Sequence, residues 1–272
     1  MAKRTNLRGG APLSILFITI IAFALHSCTV KEMREACPCR VGLDLSNLLE
    51  MASEQGVIRV NVTDSEGKSV FFKEYAADTC EHRYEITLPK GTYTISSLLA
   101  NDYQSWKPEE DGIRLVEGCQ ADSLYGEAEF LDALGEEAEA IPNALKQFAI
   151  LFIKFAAPVK NLRMDVLIPT SFISSKDLAP LPSPINLSDM VTGKTAFVGL
   201  PRQCSEDIII SFFEGRSTSP ILSINLSSRL KEIGYDFSAP SLENIYLSID
   251  FNAGEARIEV EGWKDCPIFI TF

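Results

Sequence analysis

From Val41 onward the chain is written in short apolar runs that alternate with polar residues and close on turn residues. Val41, Leu43 and Leu45 alternate with Gly42 and Asp44. Val57 to Val62 is followed by Asp64-Ser65-Glu66-Gly67 and then Val70-Phe71-Phe72, which predicts a hairpin with glycine in its loop. Tyr84 to Leu88 leads through Pro89-Lys90-Gly91 to Tyr93-Thr94-Ile95 and predicts a second hairpin. Long helical periodicity is absent here. The stretch from Glu117 to Ala144 changes character, with eight acids and no Lys or Arg. It reads as a solvated connecting segment with one or two helical turns between Glu127 and Ala140, and it sets a domain boundary near Ile141.

The second half restarts the strand pattern. Phe148 to Phe155 is apolar except for Lys154, and Leu162 to Ile168 alternates in part. Leu178 to Pro184 carries three prolines in seven residues and predicts a loop. Strands follow at Thr195 to Val198, Asp207 to Phe213 and Ile221 to Leu226, with a short helix over Ser227 to Ile233. Tyr246 to Phe251 and Ala256 to Val260 form a hairpin through Asn252-Ala253-Gly254. Short strands with regular turns predict an all-β chain of two tandem β-sandwich domains, residues 41–140 and 141–272.

Ahead of these strands the pattern is different. Leu13 to Leu25 is an apolar run of 13 residues, preceded by Lys3, Arg4 and Arg8. A helix needs about 20 apolar residues to span a bilayer. The run is therefore a signal peptide over residues 1–27. Its end, Leu25-His26-Ser27-Cys28, resembles the lipobox of bacterial lipoproteins. That resemblance implies cleavage before Cys28 and a diacylglyceryl thioether on its sulfur. Each buried methylene adds about 0.8 kcal/mol, and stable anchoring takes more than one chain, which such a group supplies. Residues 28–40 then read as a polar, lipidated tether.

Composition narrows the function. Phosphate contacts need clustered Lys and Arg, and the net charge is −12, so a nucleic-acid partner is not expected. Seven cysteines fit an exported protein, and with Cys28 lipidated, six remain for disulfides whose pairing the sequence leaves open. Cys37-Pro38-Cys39 lacks the second cluster a zinc site needs, so no metal is expected. His82 is the only histidine after the signal, and no HExxH or GxSxG is present, so no catalytic residue is expected. Thr192-Gly193-Lys194-Thr195 ends like a P-loop but lacks the first glycine and reads as a turn into a strand, so no cofactor is expected. Trp263 reads as a core tryptophan.

Two stretches remain as binding candidates. Tyr103 and Trp106 lie in one loop and could offer a ligand surface, a reading that would make the protein a surface glycan- or ligand-binding lipoprotein. The final hexamer, Pro267, Ile268, Phe269, Ile270, Thr271 and Phe272, is apolar and strand-forming. It either closes its own sheet or pairs with a neighbouring subunit.

Three stretches together resemble a family: ACPCRVGLDLSNL after the lipobox, Ala121 to Gly126, and the closing IYLSIDFNAGEARIEVEGW. The chain is similar to the fimbrial anchor lipoproteins of Bacteroidia, the FimB-type minor subunits of Porphyromonas and Bacteroides pili. The resemblance implies two transthyretin-like sandwiches and a non-enzymatic, outer-membrane lipoprotein at a pilus base. It also implies lipidation of Cys28, pilin subunits as partners and the terminal strand as their contact. Arg34 and Arg40 match the export-cleavage residues of stalk pilins, but cutting there would release the lipid.

Overall fold

The computed structural model describes residues 38–101, 104–121, 123–204, 207–263 and 267–272. Among these residues no helix is long and apolar enough to cross a membrane. The first half folds as β1 (Cys39–Asp44), a short helix α1 (Ser46–Glu50), β2 (Val57–Asp64), β3 (Ser69–Ala76), β4 (Arg83–Leu88) and β5 (Thr92–Ala100). It continues with β6 (Trp106–Glu109), β7 (Gly112–Leu115), β8 (Leu124–Asp132) and β9 (Glu137–Ala140). A three-stranded sheet, β4-β1-β9, faces a four-stranded sheet, β3-β2-β5-β8. The alternation read at Val41, Leu43 and Leu45 is what fills the space between them: all three are fully buried with Ile58, Val60, Val62, Ile95 and Leu99.

Two expectations change here. The predicted hairpin across Pro89-Lys90-Gly91 is not one, because β4 pairs with β1 while β5 pairs with β2 and β8. The turn carries the chain from one sheet to the other, which local pattern cannot distinguish from a hairpin. The acidic stretch is not a helical linker either. Its residues form β8, the edge of the four-stranded sheet, and β9, which runs parallel to β1. Its acids flank the ladder: Glu137 pairs with Arg40, and Glu139 lies 2.7 Å from Arg83.

The second half is built on two long strands, β10 (Phe148–Ser174) and β11 (Pro180–Pro201). They are followed by β12 (Ile209–Glu214), β13 (Leu222–Asn225), helix α2 (Leu226–Glu232), β14 (Ile245–Asp250), β15 (Glu255–Val260) and β16 (Ile268–Thr271). The β10–β11 ribbon crosses from one layer to the other at register shifts between Lys154, Val159 and Leu162. Gly193 lies at that crossing with φ of 110°, so the TGKT segment is a bulge inside β11. Before the crossing β10 pairs with β14, after it with β12. The order β13-β12-β10-β14-β15-β16 therefore folds over on itself, and Phe155 meets Phe212 edge-on at 6.0 Å across the core. The proline-rich stretch belongs to β11, contrary to the loop expected. Pro180, Pro182 and Pro184 stand at alternate positions, so their missing N–H groups all face the strand's unpaired side.

The two halves share structure. The β6–β7 hairpin comes from the first half but pairs with the end of β10, Phe172 to Ser174. A third buried cluster joins them, with Trp106, Ile113, Leu124, Phe148 and Ile173. Above it, Arg59 of β2 is only 5% exposed and donates to the carbonyls of Gly112 and Glu109. Asn61 and Ser96 donate to the carbonyl of Ser175, in the β10–β11 turn.

Candidate partner-binding edge

The terminal hexamer forms β16, which pairs antiparallel with β15 in its own sheet. Ile268 and Ile270 turn to the core, and Phe272 packs its ring 6.1 Å from Phe251. Phe269 and Thr271 take the other face, and Phe269 is 73% exposed. The Phe272 N–H donates to the Gly254 carbonyl at 2.9 Å. Antiparallel ladders alternate, so Ile270 and Ile268 also aim their main-chain groups at β15. The N–H and C=O groups of Phe269 and Thr271 therefore point away from the sheet. Among the described residues no strand occupies that side. The edge carries no lysine, proline or bulge within Ile268–Thr271 to discourage pairing.

The other sequence candidates fall elsewhere. Cys28 lies outside the described residues, as does Tyr103. Trp106 is fully buried in the cluster between the two halves, so it presents no ring to a ligand and the paired aromatic surface is not formed by it. The physical reason is position: Trp106 opens β6, whose inner face lies on the junction core. Trp263 packs on the second core, its ring 6.1 Å from Tyr235. His82 is exposed, with Nδ1 3.4 Å from the Ser46 hydroxyl. Cys39, Cys80, Cys119 and Cys204 are free thiols, so the disulfides expected are not formed among these four. Cys37 and Cys266 lie outside the described residues. Burial pushes the Cys39 and Cys80 thiols above their ordinary pKa, which keeps them in the less nucleophilic form.

Within the apolar run Phe148 to Phe155, Phe152 points outward beside Phe197 of β11 and Tyr246 of β14. The alternation Leu151, Ile153, Phe155 against Phe152, Lys154 was the signal, masked because both faces carry an aromatic residue.

The sequence matches no family profile and no curated protein. Solved structures do match over most of the chain. The fimbrial anchor protein Mfa2 from Porphyromonas gingivalis is 12% identical with a TM-score of 0.57, covering 84% of this chain and 98% of that one. A candidate adhesin from Bacteroides ovatus is 15% identical with a TM-score of 0.56, covering 86% and 95%. A candidate polysaccharide-binding protein from Bacteroides thetaiotaomicron is 15% identical with a TM-score of 0.55, covering 86% and 98%. The all-β sandwich fold expected from the resemblance is thus the one observed, and this chain shares it with a fimbrial anchor protein and with adhesin-type proteins of Bacteroides.

Proposed function

We propose that this protein is a non-enzymatic fimbrial subunit of the anchor or accessory type, held at the cell surface by a lipid on Cys28 and joined to a pilin by strand pairing at β16. The observation that carries the reading is the unpaired, apolar outer edge of β16 in a fold shared with a fimbrial anchor protein. An added strand gains main-chain hydrogen bonds at Phe269 and Thr271, and side-chain fit supplies specificity. Arg40 supports an uncut, anchored form. It lies in β1, the middle strand of its sheet, paired with β4 on one side and β9 on the other. A protease would have to unpair both flanks to reach its peptide bond.

Removing the whole hexamer is a poor test, because Ile268 belongs to the core. Thr271→Pro is better: it deletes an outward N–H and leaves the bonds to β15 in place. In cells making their own fimbriae, the variant is expected to remain membrane-bound and to lose co-purification with pilins. Retained co-purification refutes strand pairing at this edge. A Cys28→Ala variant is expected to leave the outer-membrane fraction; if it still fractionates there, the lipid anchor is refuted.

A further inference from the structure

The outer face of the β11–β10–β14–β15–β16 layer carries rings and unspent polar groups in ordered rows. Cross-strand register places Phe197, Phe152 and Tyr246 side by side on adjacent strands. Phe152 and Tyr246 stack at 5.1 Å with 14° between their planes. The next row runs Lys154, Ser248, Arg257, Phe269 over four strands. At a strand spacing of about 4.8 Å it is roughly 14 Å long. A depression of about 350 Å³ lies along this row, lined by Lys154, Ser248, Asp250, Glu255, Arg257 and Phe269. That volume is in the range of small-ligand sites.

We infer that this trough is a binding site for a neutral oligosaccharide. The chemistry of its walls selects the ligand class. Among the described residues, Lys154 Nζ and Ser248 Oγ in the lining, and Tyr246 Oη in the adjoining row, have no intramolecular hydrogen-bond partner. Arg257 is paired with Glu259 and lies 5.5 Å from the Phe269 ring. Asp250 already accepts from the N–H groups of Asn252 and Ala253, leaving its second oxygen open. Donors and acceptors of both charge signs therefore face one groove beside an aromatic wall. A sugar hydroxyl both donates and accepts, and a pyranose ring presents a C–H face that lies on an aromatic ring. With Arg257 committed to Glu259, a carboxylated ligand gains, among the described residues, one free cation, Lys154, against repulsion from two carboxylates, Asp250 and Glu255. An apolar partner surface would have to desolvate four charged residues, Lys154, Asp250, Glu255 and Arg257, without pairing them, and the cores of protein interfaces are depleted of such residues. Strands hold all of these groups, so little side-chain order has to be gained on binding. The site goes beyond the anchor reading and does not rest on it: Lys154 and Tyr246 stand on β10 and β14, and Phe269, which belongs to both, gives its ring to the trough and its main-chain groups to the edge.

The test is saturation-transfer NMR on the soluble protein lacking residues 1–28, with cellopentaose, laminaripentaose, maltopentaose, mannopentaose and, as the acidic comparison, pentagalacturonate. At least one neutral pentamer is expected to bind with a millimolar or tighter Kd, and the acidic one to bind at least tenfold more weakly. Tyr246→Ala and Lys154→Ala are each expected to weaken binding about fivefold, the equivalent of roughly 1 kcal/mol. Both sit at exposed positions, and circular dichroism and the thermal midpoint verify that they fold. Absence of binding by all four neutral pentamers overturns the inference, as does equal binding of pentagalacturonate. Binding untouched by both substitutions overturns it as well. Loss of pilin co-purification in Tyr246→Ala, with no sugar bound by the parent, identifies the face as a protein contact instead. Thr271→Pro is expected to leave sugar binding unchanged, so the edge and the trough fail separately.

Discussion

At the scale of single residues, the joints between elements are polar and tightly placed. Arg59 is buried, donates to two carbonyls and pairs with Glu74 at 2.9 Å. Arg59→Met strands those acceptors, and a cost of about 2–4 kcal/mol is expected in urea unfolding. Gly199 is held by a different constraint. A Cβ there would fall 1.6 Å from the Ala121 carbonyl oxygen, so Gly199→Ala must push two backbones apart and is expected to lower the thermal midpoint sharply. Two carboxylates tie stability to pH. Hydrogen bonds from the Ser46 hydroxyl and N–H hold Asp44 below its ordinary 3.8, and Ser238 does the same for Asp236. A depressed folded-state pKa contributes stability above 3.8, which is lost as pH falls through the folded value. Asp44→Asn and Asp236→Asn are therefore expected to flatten the acid limb of stability below pH about 4, read as urea midpoint against pH.

At the scale of elements, β16 separates the two faces of one strand. Ile268→Ala opens a cavity in the core and is expected to cost about 2–4 kcal/mol. Phe269→Ala removes an outward ring and is expected to stay within about 0.5 kcal/mol in the free protein. Chemical denaturation of both variants checks the contrast; equal losses would mean that Phe269 is covered by its own chain. The same strand-by-strand logic explains β11. Its prolines are tolerated because that strand pairs with β10 only, and three of them guard the open side. In β16 the open side has no such guard.

At the scale of the whole molecule, two cores are bridged by a third cluster and by a hairpin that leaves its own half. Cooperative unfolding of both halves follows from that sharing. A single calorimetric transition is expected for the intact protein. Trp106→Ala, at about 3–5 kcal/mol for a fully buried ring, is expected to split it in two. A second transition already present in the parent would show that the junction does not couple the halves.

Much of this was legible along the chain. Alternation located β1 and the β2–β3 and β14–β15 hairpins, because a strand with one buried face has to write a period of two, and the terminal strand showed as an apolar, strand-forming run. Val41, Leu43 and Leu45, which β1 gives to the first core, came from the same signal. Composition and motifs shaped only the expectations about chemistry, through a net charge of −12 and the lack of an HExxH or GxSxG pattern.

What only the tertiary structure decided was partnership. Whether the turn at Pro89 joins two paired strands or two sheets depends on which strands dock, and the local residues are the same in either case. The acidic stretch became strand because β5 and β1 offered ladders to it, and tertiary pairing outweighed the helical preference of Ala, Leu and Glu. Trp106 went inside and Phe152 outside because the face of a strand is fixed by the layer packed against it, information that a one-dimensional pattern does not contain.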